Sequence, residues 1–239
     1  MMVVIAHPDD ECYAFGGALG LAKQQGVETY VICLTDGQAA TNRGDAASSA
    51  ELGRIRRAEL AASCKVLGVA HHELLEYQDA QLELINFSRA AGQLVERMRR
   101  FQPDVVVTFG QDGGLNTHAD HTMVSALATA AFHWSGRVKR YHDAGRVWQP
   151  KRLFHVSTDF FLPNRQEPLP LPWTVTLDVR GVVELKVEAF RQHVSQTPVM
   201  EATKEMFAKY GDQEFYTLMA EAGVKAARPM TSFFEGLPE

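Results

Sequence analysis

The sequence predicts an α/β fold, a doubly wound and mainly parallel sheet flanked by helices, and three observations carry that prediction. The runs Val3-Val4-Ile5, Val31-Ile32-Cys33-Leu34 and Val105-Val106-Val107 are short and nearly continuously apolar, as in strands buried on both faces of a parallel sheet. Between them stand longer stretches with helical periodicity, the connection that parallel neighbours require. The chain has 239 residues, enough for one substantial core, so the expectation is a single domain over 1–239.

Each element has a local reason. The first strand stops at His7-Pro8, because a residue before proline is pushed out of the α region. Gly16 to Gln25 reads as a helix, with Leu19 and Ala22 inward, Lys23 and Gln24 outward, and Gly26 as its stop. Val27 to Leu34 is the second strand, ended by the turn residues Thr35-Asp36-Gly37, and residues 38–50 form a small, polar loop. Glu51 to Leu67 is a helix closed by Gly68, Ala70 to Tyr77 has a weaker strand signal, and Phe87 to Phe101 is an amphipathic helix ended by Pro103. Residues 104–109 form the clearest strand, and Asp120 to Phe132 the next helix. This is a Rossmann-like alternation, although no G-x-G-x-x-G follows the first strand, where dinucleotide binding would require it.

Beyond residue 135 the pattern loosens. Residues 136–146 read as an exposed polar excursion and Lys151 to Thr158 as a strand. Pro163, Pro168, Pro170 and Pro172 mark an irregular loop within the domain. A strand over Val175 to Val179 and a helix over Val182 to Val194 follow.

Composition narrows the partners. The formal net charge of −5 argues against a general nucleic-acid surface. No apolar run approaches a membrane span, and no charged-then-apolar leader precedes the first strand. Cys12, Cys33 and Cys64 are scattered without a C-x-x-C pair, which fits reduced thiols in a cytoplasmic protein. The expected partner is a small molecule, with no nucleic acid and no membrane insertion; a homo-oligomer is compatible with the sequence.

Two clusters carry chemistry. Asp9, Asp10 and Glu11 follow the first strand directly, and three adjacent acids repel unless a cation or hydrogen-bond donors offset them. His7 and Asp10 supply imidazole and carboxylate, a ligand set that suits Zn²⁺. His118-Ala119-Asp120-His121 follows the 104–109 strand, so both clusters should open on the edge of the sheet where α/β proteins bind ligands. A catalytic zinc site keeps three protein ligands and one open position. His7, Asp10 and one of His118 or His121 would form it, with one Zn²⁺ per chain, a water whose pKa falls to ~7, and Asp9 beside it to take the proton. Spacing alone leaves the histidine ligand open, because residues three apart share a helix face. The other histidine would donate to an oxyanion or protonate a leaving amine, with Asp120 fixing its tautomer.

These residues resemble a known family. Ala6-His7-Pro8-Asp9-Asp10-Glu11 and His118-x-Asp120-His121 are similar to the two signatures of the LmbE-like, or PIG-L, zinc N-deacetylases. Thr35-Asp36-Gly37, Arg56-x-x-Glu59 with Leu67-Gly68-Val69, Thr108-Phe109-Gly110, Asp178-Val179 with Lys186, and His193-x-Ser195-Gln196 extend the likeness over most of the chain. The resemblance implies that His7, Asp10 and His121 bind zinc, that Asp9 is the general base, and that His118, oriented by Asp120, is the acid or oxyanion partner. It further implies that Arg56 helps hold the substrate and that His193 lies on a loop near the site. The implied activity is removal of an N-acetyl group from an N-acetylglucosamine-containing small molecule. Ala119 stands where the family usually has proline, which leaves the turn ahead of His121 freer, and residues 133–150 and 163–172, of the kind that border the pocket, match nothing in the family.

Other readings compete. A metal-dependent phosphoesterase would need two metals and more ligands than the sequence offers. A non-catalytic carbohydrate-binding protein with a vestigial metal site would have no use for Asp9. Taken alone, Arg56 reads as a solvated charge pairing with Glu59 at i, i+3. His71 and His72 read as surface residues, His133, His142 and His155 as structural, and Trp134, Trp148 and Trp173 as core or loop anchors.

Overall fold

Strand β1 (Met2–Ile5) is buried along its whole length, as its unbroken apolar sequence requires. Its parallel neighbour β4 (Val105–Thr108) sets Val106 opposite Met2 and Val107 opposite Val3, and the Thr108 hydroxyl donates to the Val4 carbonyl at 2.9 Å. β5 (Arg152–Ser157) continues parallel to β4, while β7 (Gln213–Glu221) lies antiparallel to β5. β2 (Tyr30–Thr35) and β3 (His71–Tyr77) pair in parallel. With β6 (Val175–Asp178), the seven-stranded sheet has the order β3-β2-β1-β4-β5-β7-β6. This is the expected α/β architecture, a mixed and mainly parallel sheet flanked by helices. The computed structural model describes residues 1–158, 172–223 and 230–237; the proline-rich 163–172 segment, Pro172 excepted, lies outside them.

The chain divides into two compact units. One comprises Met1–Val4, Leu82–Thr176 and Phe215–Glu239, the other Ile5–Gln81 and Leu177–Glu214. In the first, α4 (Phe87–Phe101) buries Ala90, Ala91, Leu94, Val95 and Met98, a stripe at helical spacing. The Asn86 side chain caps it by accepting from the Arg89 N–H. Buried Arg99 donates to the carbonyls of Ser135, Arg137, Arg140 and Tyr141, so one guanidinium ties the polar 136–146 excursion to α4 and to the end of α5 (Ala119–Ser135).

In the second unit, α2 (Gly16–Gln24), α3 (Ser49–Leu67) and α6 (Val183–Arg191) form the helical part. Glu214 caps α2 by accepting from the N–H groups of Gly17 and Ala18 at 2.8 and 2.9 Å, and it pairs with Lys186 at 2.6 Å. A Cβ on Gly17 would sit 2.6 Å from that carboxylate, which is why the helix opens on glycines. Two further helices, the one-turn α1 (Asp10–Tyr13) and α7 (Thr197–Tyr210), have no counterpart in the predicted elements; α7 buries none of its residues and so carries a weak sequence signal. No helix among the described residues is long and apolar enough to cross a membrane. All three cysteines are buried and unbridged.

Candidate active site

In the unit that begins at Ile5, the end of β1 is pinned before the motif starts. The Thr35 N–H and hydroxyl both donate to the Ala6 carbonyl at 2.9 Å. Asp10 Oδ2 accepts from the N–H groups of Ala6 and His7 at 3.2 and 2.8 Å, folding the loop back so that His7 Nδ1 stands 3.6 Å from the same oxygen. Two ligands of a tetrahedral zinc ion are separated by about 3.4 Å, given metal–ligand distances near 2.1 Å, so this pair is spaced to share one ion.

On its other side the His7 ring meets Asp79, with Nε2 2.9 Å from Oδ1. Burial pushes the Asp79 carboxyl up, but the hydrogen bond and charge of His7, the Ala39 N–H and the Arg56 charge bring it down to about 2. An ionised acceptor there fixes the His7 proton on Nε2 and leaves the Nδ1 lone pair for a metal, the carboxylate–histidine arrangement common around such ions. Asp79 is absent from the sequence-derived set. Its one available signal is an acid just past the carboxyl end of a strand, the same location as the motif acids.

Asp9 has φ 108° and ψ −24°, a left-handed conformation that disfavours any residue with a Cβ. Its N–H donates to Glu11 Oε2 at 2.9 Å, and its carboxylate lies 3.1 Å from Arg56 Nη2. Burial raises the Asp9 carboxyl, the charge of Arg56 lowers it, Asp10 and Glu11 raise it and His193 lowers it, and it settles at about 6. A carboxyl poised near neutrality suits a general base.

Arg56 is only 3 % exposed. It donates to the Gly37 carbonyl at 2.9 Å and to the Pro8 carbonyl. Gly37, at φ +64°, lies so close that a Cβ would collide with the guanidinium, which accounts for the Thr35-Asp36-Gly37 turn. Glu59, the expected i, i+3 partner, instead accepts from the Ser195 N–H and hydroxyl at 2.7 Å each. The Cys12 thiol donates to the Asp9 carbonyl at 3.0 Å, and burial raises its pKa well above the usual range, so it remains a neutral thiol.

The other unit presents the second motif. His118 is the N-cap of α5, and its Nδ1 accepts from the Asp120 N–H at 3.1 Å. That bond leaves the proton of the neutral ring on Nε2. The Asp120 carboxylate accepts from the Leu82 N–H at 3.1 Å. His121 is buried, with Nδ1 3.0 Å from the Gly113 carbonyl. A carbonyl only accepts, so Nδ1 carries the proton and Nε2 keeps a lone pair. Phe109 stacks on the same ring, centroids 3.8 Å apart and planes 7° off parallel. Ala119 occupies the first position of α5, where proline is favoured; the helix starts there without it. Among the other histidines, His155 is buried with Nε2 3.0 Å from the Thr129 hydroxyl, whereas His71, His72, His133 and His142 are exposed.

Each unit thus gathers its own share of the predicted residues: His7, Asp9, Asp10 and Arg56 in one, with His193 reached through Glu11, and His118, Asp120 and His121 in the other. Each motif comes after a strand, beyond that strand's carboxyl end, where α/β enzymes place their chemistry. Acids and histidines in that position are the equipment of a hydrolytic enzyme.

Comparison with known proteins defines the family. The one described as PIG-L, GlcNAc-PI de-N-acetylase, matches residues 2–132, more than half of the chain, and the chain belongs to it. A 1D-myo-inositol 2-acetamido-2-deoxy-alpha-D-glucopyranoside deacetylase of Rhodococcus erythropolis is 29% identical over 83% of this chain and 81% of its own. Among solved structures, N,N'-diacetylchitobiose deacetylase from Pyrococcus horikoshii superposes with a TM-score of 0.68 at 24% identity, covering 91% of this chain and 82% of the other. GalB, the 4-carboxy-2-hydroxymuconate hydratase from Pseudomonas putida, superposes at 0.70 with 19% identity, covering 95% and 98%. At such identities the structural likeness establishes the fold. The family places the chain among hydrolases acting on carbon–nitrogen bonds other than peptide bonds.

Proposed function

We propose that this chain is a zinc-dependent N-deacetylase that releases acetate from a small molecule containing N-acetylglucosamine. In this reading residues 1–239 work as a single deacetylase domain in the cytoplasm, with one Zn²⁺ per chain held by His7, Asp10 and His121. The observation that carries it is the Asp9 loop: a base poised near neutrality stands beside a histidine–carboxylate pair spaced for one ion. The donor set fits zinc, since hydrogen bonding to Asp79 and to Gly113 directs one lone pair outward from each of His7 and His121.

A bound Zn²⁺ would polarise the amide carbonyl and acidify water. Asp9 takes the proton from the attacking water. His118, its proton held on Nε2 by the Asp120 N–H, donates to the developing oxyanion or to the leaving amine. The Rhodococcus relative and the Pyrococcus neighbour are both named for N-acetylated amino sugars, which supports the substrate class.

The test is elemental analysis followed by acetate release from N-acetylglucosamine, N,N'-diacetylchitobiose and N-acetylglucosaminyl-inositol. The same fold carries a hydratase, so the assay must read acetate and not substrate loss. One zinc per chain is expected, with acetate release that a chelator abolishes and zinc restores. Zinc-loaded protein that releases no acetate from any of the three would overturn the reading.

A further inference from the structure

Glu11 is the motif acid for which the reaction has no use, and it is fully buried. One of its oxygens, Oε2, accepts the Asp9 N–H. The other, Oε1, is held by the Ser63 hydroxyl from α3 at 2.5 Å and by His193 Nε2, from the turn after α6, at 2.6 Å. Among the described residues, buried His193 Nδ1 finds no hydrogen-bond partner, so of these polar groups Glu11 alone orients the ring through a hydrogen bond.

We propose that Glu11, Ser63 and His193 form a positioning device that holds Asp9 in its left-handed conformation, with His193 acting through Glu11 on the base and making no contact with substrate. A non-glycine residue at φ 108° persists only where its surroundings over-determine it. Here the Asp9 amide is turned inward to a carboxylate that is fixed from two distant parts of the chain, while Arg56 holds the Asp9 side chain from the other side. Glu11 is suited to this because its two carboxyl oxygens divide the work, Oε2 taking the Asp9 N–H and Oε1 the Ser63 hydroxyl and His193 Nε2. The three residues therefore act as one buried, hydrogen-bonded clamp on the backbone of residue 9.

The inference rests on the reading of Asp9 as the general base, and its test has an arm that does not. In ¹⁵N-labelled full-length protein, hydrogen exchange at the Asp9 amide reports the clamp directly, whatever the substrate. His193→Ala should speed that exchange roughly tenfold or more, and His193→Gln, which keeps a donor for Glu11, should restore much of the protection. Ser63→Ala removes only a hydroxyl and should act in the same direction more weakly, which keeps the test alive if His193→Ala fails to fold. On N,N'-diacetylchitobiose, His193→Ala should lower kcat about 10–100-fold, the cost of a misplaced catalytic group, with KM and zinc content at parental values and partial rescue by His193→Gln. Unchanged Asp9 exchange in His193→Ala and Ser63→Ala would overturn the proposal, as would a raised KM with kcat preserved, the signature of a substrate contact.

Discussion

Replacing Arg56 with methionine keeps an apolar stem in the core and removes the guanidinium. That group donates to the Pro8 and Gly37 carbonyls and pairs with the Asp9 carboxylate at 3.1 Å. Breaking a buried charged pair by removing one partner costs about 3–5 kcal/mol, and orphaning a buried acceptor about 1–3 kcal/mol. The Asp9 side chain retains 19% exposure, so water would recover part of this, and a net loss of about 3–5 kcal/mol is expected from urea unfolding at neutral pH. The same substitution removes the largest influence lowering the Asp9 pKa, so burial and Asp10 would lift that carboxyl above about 6. The base acts only when ionised, so the acid limb of the pH–rate profile should move to higher pH, with activity lost at pH 7 and partly regained in alkali. Arg56→Lys, which keeps the charge but not the two-pronged geometry, should fall between. Stability within about 1 kcal/mol of the parent, an unmoved acid limb and a raised KM would refute this and make Arg56 the substrate contact that the family resemblance implies.

Asp79→Asn should weaken zinc binding about 10–100-fold in a chelator competition, because the His7 ring loses the carboxylate that orients it; parental affinity would remove Asp79 from the site. Asp9→Asn and His118→Ala should each keep zinc and lose ~10²–10⁴-fold in acetate release, and zinc lost from His118→Ala would reassign the histidine ligand. Burial lowers the His155 pKa to about 4, against a weaker upward pull from Asp112. The unfolded chain therefore binds more protons than the folded one as pH falls from about 6.5 to 4, and stability drops by about 3 kcal/mol across that window. His155→Gln should flatten that slope in unfolding measurements at pH 4 and pH 7.

The elements that bury an unbroken apolar run or stripe were legible. β1, β4 and α4 lie within a residue of their predicted bounds, because alternation and capping are local. The motif residues were legible for another reason: acids and histidines crowded at a strand end are costly unless they serve a purpose. Their supports were less so. Glu11 and His193 meet across 182 residues, a distance no local pattern spans, and Asp79 looks like any acid after a strand.

Arg56 and Ser63 are the instructive cases. In the run Arg54-Ile55-Arg56-Arg57 the charge suggests a solvated face, yet α3 buries Leu52, Arg56, Leu60, Ser63, Cys64 and Leu67 together. Arg56 is four residues from Leu52 and four from Leu60, so the apolar stripe of the helix passes through it and places a cation in the core. Ser63 falls on the same stripe, four before Leu67, and reaches Glu11. Burying a guanidinium costs several kcal/mol unless it is paired, so a helix that carries one on its inward face has acceptors waiting on other elements. Here the acceptors are the carbonyls of Pro8 and Gly37 and the carboxylate of Asp9. The periodicity that marks a helix core therefore also picks out, as its polar exceptions, the residues that hold the proposed catalytic loop in a conformation it would not adopt alone.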